Sequence, residues 1–319
     1  MPSLPESAAL TDVALHDALP KAIARTDIPG VGDPYRGKVR DVYPLGDRLL
    51  IVTTDRISAF DHVFAEAIPY KGQVLNRLAA HFFGRTADLV PNHVLAVPHG
   101  AVTLARRCQA VPVEFVVRGY LAGHALRTYD AGGRVLCGQV LPDGMRPYEA
   151  FEEPILTPAT KAAEGHDEDV TPAEIIGRGV LRSAELAHLT ESALALYRRG
   201  AALAEERGLL LLDTKFEFGR TPEGDFLVID EMLTPDSSRY VHADDYTARI
   251  ESGEPPRHLS KEFLREWLLD RGFRGDGPAP PLPDDLRVAV ARRYIGLYET
   301  LTGAPFVPDE RSLDIAITA

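Results

Sequence analysis

Cysteine is nearly missing from this chain: 319 residues contain only Cys108 and Cys137, in no metal-like spacing. That excludes a disulfide framework and a cysteine-ligated zinc site, and it fits a reducing cytoplasm. Long apolar runs are missing too. Nowhere do ~18 apolar residues stand uninterrupted, and the opening MPSLPESAALTDVALHDALP lacks a basic region followed by an apolar stretch, so neither export nor a membrane span is expected. No Lys/Arg run offsets the acidic excess behind a formal net charge of −12. Nucleic acid and membrane surfaces are therefore disfavoured as partners, and an anionic ligand has to meet a local cluster of basic groups. There is no internal repeat, and the only low-complexity stretch is the Pro/Gly segment GDGPAPPLPDD.

What remains is an ordinary globular composition, 45% hydrophobic and 26% charged, in a chain long enough for two lobes. An amphipathic opening around Leu10 to Ala24 leads into coil, and GKVRDVYPLGDRLLIVTTDRISAFD then reads as strand, turn, strand. VLNRLAAHFFGRT is predicted helical to about Gly84. VTLARRCQAVPVEFVVRGYLAG returns to strands interrupted by Pro112, and we place the lobe boundary near Val111. Leu186, Leu189, Ala193 and Leu196 recur at helical spacing between Ser183 and Arg207, a core-facing stripe that stops at Gly208. After the Pro/Gly segment, Asp284 or Asp285 is expected to cap a bracing helix, about 284–303, with Val290, Tyr294, Leu297 and Leu301 on one side.

The stretch DTKFEFGRTPEGDFLVIDEMLTPDSSRY, residues 213–240, carries the strongest signal. LLLLDTKFEFG and DFLVIDEM read as two strands of a hairpin joined by TPEG, a four-residue connection. Pairing Arg220 with Asp225 would set Phe218 opposite Leu227 and Phe216 opposite Ile229, giving one apolar face. The other face would carry Lys215, Glu217 and Asp230, with Lys215 directly across from Asp230. A lysine beside carboxylates suits a phosphate held together with a magnesium ion. An exposed hairpin with surface ion pairs worth ~0–1 kcal/mol is the competing reading. Against it stand the leucine run before Asp213, which predicts burial on both faces, and the lack of a mixed solvated set on the polar face.

Neighbouring segments add groups of the same kind. In TPDSSR, Asp236 is expected to turn the chain through its side-chain oxygen, while Ser237, Ser238 and Arg239 offer donors to a phosphate; the segment reads equally as a plain turn. VVRGYLAGH ends an apolar strand with Arg118, and Gly119 and Gly123 permit a close backbone approach. Gly32 to Lys38 matches G-x-x-x-x-G-K, yet Val39 stands where a P-loop needs Ser or Thr, and the context is coil then strand. A glycine turn at Gly37 feeding a strand, with Lys38 and Arg40 over phosphates, fits better. DRISAFD places Ser58 and Asp61 after a strand, as ligand groups or as a strand-end turn.

Taken in order, GKVRDVY, TDRISAFD, PVEFVVRGYLAG, ILTPATKAAEGHDE, DTKFEFG, VIDEMLTPDSSR and FLREWL make the chain resemble the SAICAR synthetase family of purine biosynthesis over roughly Ile28 to Phe306. The resemblance implies an α+β, two-lobed fold distantly like that of protein kinases. A small antiparallel-sheet lobe, 1–110, would cover ATP, and a larger α+β lobe, 111–319, would hold substrate and metal. It implies an enzyme that uses ATP and Mg2+ to phosphorylate the carboxylate of carboxyaminoimidazole ribonucleotide, whose acyl phosphate is then attacked by the amino group of L-aspartate. On the matching positions, Gly37, Lys38 and Arg40 become the phosphate-covering turn, and Arg107 to Glu114 the segment near the adenine. Lys215 and Glu217 fall on the nucleotide and metal side. Asp230 becomes the magnesium carboxylate, with Glu217 and Glu231 as further ligands, and Lys215 and Asp230 the catalytic pair. Arg118, Ser238 and Arg239 would hold the imidazole nucleotide's phosphate, near Asp213, His124 and Asp236, with Ser58 and Asp61 on the acceptor side. A monomer or small homo-oligomer is expected.

The sequence departs from the family pattern at three places. His124 stands where members commonly show Ser, though an imidazole still donates a hydrogen bond. Ser260 precedes Lys261 where Asp-Lys is usual, and Val241 replaces an aromatic residue. Two other classes fit the same residues: a small-molecule kinase transferring phosphate to a hydroxyl, and a non-catalytic nucleotide-binding protein.

Overall fold

The computed structural model describes residues 10–60, 62–161, 168–259 and 262–313. The chain divides into two compact units, and not by a single cut near residue 110: residues 1–81, 94–107 and 260–319 make the first, and 82–93 with 108–259 the second. The C-terminal quarter of the predicted larger lobe thus belongs with the N-terminal sheet. Hydrogen bonds from the C-terminal segment to residues of the first third of the chain account for the difference.

In the first unit, five antiparallel strands lie in the order Tyr35–Arg36, Arg40–Leu45, Arg48–Thr53, Val102–Arg106, Val94–His99. Arg40–Leu45 and Arg48–Thr53 form the expected strand, turn, strand, closing at Leu45↔Arg48. Alternation along them buries Tyr43, Leu50 and Val52, which pack with Val102 and Ile28. The bracing helix runs Asp284–Thr302 and buries Val290, Tyr294, Leu297 and Leu301, the predicted side. Its N-cap is Pro283 and no side chain caps it; Asp284 instead accepts from Arg287 Nη1 at 2.8 Å. Arg287 also donates to the Ala67 carbonyl, and Arg292 Nε to Asp12 at 2.9 Å, which ties the helix to the first third of the chain. Beyond it, Gln73 holds the backbone of Asp309 through both its amide N–H and O, and Arg77 donates to Val307 O.

The second unit is built on a six-stranded antiparallel sheet. Ala150–Leu156, Gln109–Tyr120, Leu209–Arg220 and Phe226–Ile229 follow one another; Ala159–Thr160 pairs with Gln109–Tyr120, and Ser238–His242 with Leu209–Arg220. The strand Gln109–Tyr120 runs through Pro112 without breaking. Its ladder to the central strand Leu209–Arg220 shifts between Glu217 and Gly219, and this bulge accommodates a residue that cannot donate. The helix Ser183–Glu205 buries Leu186, Leu189, Ala193 and Leu196, and its Tyr197 hydroxyl donates to Leu211 O at 2.7 Å. Among the described residues no helix is long and apolar enough to cross a membrane.

Candidate active site

The central strand alternates with period two, so Asp213, Lys215 and Glu217 share one face, while Thr214, Phe216 and Phe218 take the other. The apolar side is closed by Phe115 and Val228, with Phe115 edge-on to Phe218 at 5.1 Å. Leu209, Leu211 and Leu212 are buried, as the leucine run predicts.

At one end of the polar face Asp213 is paired on both sides. Arg118 of one neighbouring strand and Arg239 of the other lie directly opposite it in the ladders. Arg118 Nη1 donates to Asp213 Oδ2 at 3.2 Å, and Arg239 Nη1 donates to both carboxylate oxygens at 2.9 and 2.7 Å. Arg118 is buried and spends its Nε on the Thr157 hydroxyl at 2.8 Å; burial pulls its pKa down while Asp213 pushes it back up. Opposite charges on adjacent strands explain the ladder locally, and two guanidiniums sharing one carboxylate leave this end with excess positive charge. The glycines expected to admit a close approach admit side chains of the protein itself: a Cβ on Gly119 would meet the Tyr197 hydroxyl at 1.8 Å, and one on Gly123 the Arg239 guanidinium at 2.7 Å.

Two residues along, roughly 7 Å at strand rise, the second cluster begins. Lys215 Nζ donates to Glu114 Oε1 at 2.6 Å and to Glu217 Oε1 at 3.1 Å, and Lys161 bonds the other Glu217 oxygen. Glu114 and Glu217 are direct ladder partners, a like-charge apposition held together by the lysine between them. Burial alone would raise the Glu217 carboxyl, but Lys215 and then Lys161 hold it at about 2. Glu217 and Glu114 in turn push Lys215 well above the usual lysine range against the pull of burial, and the charge of Asp230 acts on both lysines.

Asp230 reaches this cluster by a different route from the expected ladder. The observed register is Phe218↔Val228, Gly219↔Leu227 and Arg220↔Phe226, one residue off the predicted pairing, and the strand ends at Ile229 opposite Glu217. Asp230 therefore falls just beyond the ladder and is not paired with Lys215 across the hairpin. The cause is the turn. Thr221 N–H bonds Asp225 O at 2.8 Å and Gly224 N–H bonds Thr221 O at 3.0 Å, so the loop has three residues, ending on Gly224 at φ +99°. A turn followed by a left-handed residue is the three-residue hairpin, not the four-residue one. Asp230 itself is left-handed, φ +64°, and leaves the strand direction at that point.

In the TPDSSR segment the Thr234 side chain turns the backbone. Thr234 Oγ1 accepts from the backbone N–H of Asp236 and of Ser237, both at 3.3 Å, and Ser237 Oγ accepts from Thr234 N at 3.2 Å. The Thr234 hydroxyl donates to Glu231 Oε2 at 2.5 Å, drawing that carboxylate onto the turn. Ser238 shares a hydrogen bond with Thr214 at 2.8 Å on the opposite side of the strand from Asp213. His124 pairs with Asp169 at 2.7 Å. Lys161, Thr157, Thr234 and Asp169 are the groups that sequence reasoning missed; Lys161, Thr157 and Asp169 are brought in by pairing 39 to 56 residues away along the chain, whereas Thr234 acts within its own turn.

Other predicted residues lie in the first unit. Gly37 N–H closes a tight turn on Arg40 O at 2.8 Å, with Lys38 exposed at its tip. Ser58 is half-buried in the short strand Ser58–Ala59. Arg107 donates from its backbone to Asp47 O and from Nη1 to Gly46 O, which makes it a clasp on the neighbouring turn. Asp61, Ser260 and Lys261 lie outside the described residues. Among the described residues no group of three or more His, Cys, Asp or Glu side chains is arranged to hold a metal by itself.

The protein is thus a mixed α+β fold whose central strand bears an aspartate clasped by an arginine from each neighbouring strand and, two residues along, a lysine set among carboxylates. Comparison with known proteins makes this particular. Residues 33–279 match the SAICAR synthetase family, and the chain belongs to it, a family of ligases of purine biosynthesis. It is 50% identical over 298 residues to the phosphoribosylaminoimidazole-succinocarboxamide synthase of Bacteroides thetaiotaomicron, covering 92% of this chain and 95% of that one. It is 44% identical over 296 residues to that of Legionella pneumophila strain Lens, covering 91% and 94%. Among solved structures, the SAICAR-synthase of Saccharomyces cerevisiae complexed with SAICAR superposes with a TM-score of 0.79 at 32% identity, over 89% of this chain and 99% of that one. A type-2 SAICAR synthetase in complex with ADP shares the fold at a TM-score of 0.67 and 23% identity, over 86% and 100%.

Proposed function

We propose that the protein joins L-aspartate to the carboxylate of carboxyaminoimidazole ribonucleotide with ATP as co-substrate, giving SAICAR, ADP and phosphate. One observation carries the reading: one face of the sheet presents two arginines sharing Asp213 and, about 7 Å along the central strand, Lys215 among Glu114 and Glu217. The arginine end suits the ribose phosphate of the imidazole nucleotide, where a bidentate guanidinium contact is strongest. The lysine end suits the transferring phosphoryl group. The family membership and the yeast relative solved with SAICAR point to the same product.

The chemistry needs two steps because a free carboxylate is a poor electrophile. The substrate carboxylate oxygen attacks the outer phosphorus of ATP, the bond to ADP breaks, and an acyl phosphate forms. The aspartate amino nitrogen then attacks the acyl carbon; the carbon–oxygen bond to phosphate breaks, and the amine loses a proton as the amide forms. Lys215, held charged by its carboxylate neighbours, stabilises negative charge on the transferring group without a proton of its own being moved. Asp230 and Glu217 supply the hard carboxylate oxygens that magnesium prefers; an ion that takes one or two protein carboxylates and completes its shell with phosphates and water fits this donor set. When bound, magnesium would neutralise charge between the outer phosphates of ATP. Arg118 and Arg239 hold the acceptor.

The test is substrate dependence. ADP release is expected with ATP, magnesium, the carboxylated imidazole nucleotide and L-aspartate together, and little with any one omitted. Phosphorylation of a hydroxyl acceptor without aspartate would establish a kinase instead.

A further inference from the structure

Arg56 belongs to none of the groups assigned above, yet it makes four hydrogen bonds around the glycine turn. Its Nη1 donates to Ala24 O at 2.8 Å, its Nε to Lys38 O at 3.2 Å, and its Nη2 to Gly37 O at 3.0 Å and to Asp41 Oδ1 at 2.8 Å. Asp41 is wholly buried. Its other oxygen accepts from Arg36 Nη1 at 2.8 Å, Thr26 N at 2.9 Å and Thr26 Oγ1 at 2.8 Å. The next carbonyl of the turn, Val39 O, is taken by the backbone N–H of Thr54 at 2.9 Å and by its hydroxyl at 2.5 Å.

Three successive carbonyls, those of Gly37, Lys38 and Val39, therefore point at the short segment Thr54–Arg56. In a trans peptide the carbonyl and the following N–H lie on opposite sides of the chain. Holding those three oxygens on one side directs the N–H groups of residues 38, 39 and 40 to the other. Successive amides aimed at one side make an anion-binding concavity, and Lys38 and Arg40 sit on the same turn. A guanidinium is needed for the grip: its rigid fork spans two adjacent carbonyls and a carboxylate at once, which a single ammonium cannot do.

We infer that Arg56, anchored by the buried Asp41, is a positioning residue for the phosphate-facing turn Gly37–Arg40. It fixes the direction of two peptide planes, with Thr54 holding the third, and does not itself touch the nucleotide. The inference rests on the reading of ATP as co-substrate.

Arg56→Lys in the full chain tests it through the separation of Michaelis constants. The KM for ATP should rise about ten- to hundredfold, the scale of losing a charged hydrogen bond, while those for the imidazole nucleotide and L-aspartate stay within about twofold. Hydrogen exchange of the 37–41 backbone should quicken in the variant. Thr54→Val, which removes the hydroxyl bond to Val39 O and the long 3.4 Å one from Arg56 N–H while keeping the Arg56 side chain and the Thr54 N–H bond to Val39 O, should raise the ATP KM in the same direction by a smaller factor and guards against misfolding of the first variant. An unchanged ATP KM in both variants, or an equal rise in all three constants, overturns the inference. Wild-type protein without ATP-dependent turnover would sink the underlying reading, whereas wild-type turnover with an Arg56→Lys variant that behaves normally sinks only this one.

Discussion

Asp213→Asn tests the electrostatics of the site most directly. The substitution keeps size and shape but removes the one negative charge between the Arg118 and Arg239 guanidiniums, at contacts of 2.7 to 3.2 Å. With charge centres about 4 Å apart and an effective dielectric near 20, each attraction is on the order of 4 kcal/mol, offset by the repulsion between the two cations and by desolvation. Breaking a buried pair from one side typically leaves a net loss of about 3–5 kcal/mol. Arg118 and Asp213 are both buried, so water does little to relieve it. For a unit of this size the melting temperature should fall by roughly 6–20 °C. Because the variant holds two guanidiniums without their carboxylate, a phosphate-bearing ligand bound there should recover more of the melting temperature than it adds to the wild type. Scanning fluorimetry with and without the carboxylated imidazole nucleotide measures both quantities. A melting temperature within about 2 °C of wild type would refute the buried-pair account, and equal recovery in the two proteins would detach the arginines from the ligand.

Asp230→Asn should fold with a near-native melting temperature, because asparagine tolerates the left-handed backbone found at φ +64°, while turnover falls at least ~10²-fold. Retained turnover at ordinary magnesium would remove Asp230 from the site. Asp55 gives a pH-dependent prediction: burial lifts it from 3.8 to about 6 despite the amides of Ile23 and Gly72 and the charge of Lys71. The folded protein therefore keeps a proton that the unfolded chain has released, a stabilisation complete below about pH 4 and lost as pH rises through about 6, roughly 3 kcal/mol in all. Chemical denaturation of wild type and Asp55→Asn across that range should show their stability difference falling by this amount, and a flat difference would contradict it.

The alternation that puts Lys215 and Glu217 on one face is a local property of a strand and was legible from seven residues. So was the burial of the leucines before Asp213. The hairpin register was not. TPEG reads as a four-residue loop, and only the left-handed conformation of Gly224 shows that Asp225 pairs with Thr221. One residue of error moved Asp230 into the ladder, whereas its own left-handed backbone turns it toward the lysines. Lys161 left no local mark. It is 56 residues from Glu217 and arrives because its backbone N–H bonds Pro112 O, next to the Ala159–Thr160 strand. The two-arginine clasp on Asp213 likewise needs three strands in register, which spacing along one of them does not contain.

The discontinuity of the first unit sets an order on synthesis. Its sheet is complete by Arg106, but the helix that bonds Asp12 and the Ala67 carbonyl begins at Asp284, and the Gln73 and Arg77 bonds wait for Val307 and Asp309. Residues 108–259 form an unbroken segment that carries nearly all of the second unit. On a ribosome, therefore, the middle of this protein can finish folding while its beginning is still exposed, and the beginning is completed only by the last stretch to emerge. A chain cut short before residue 284 would lose these ties to Asp12, Ala67, Gln73 and Arg77, although every strand of the N-terminal sheet had been made.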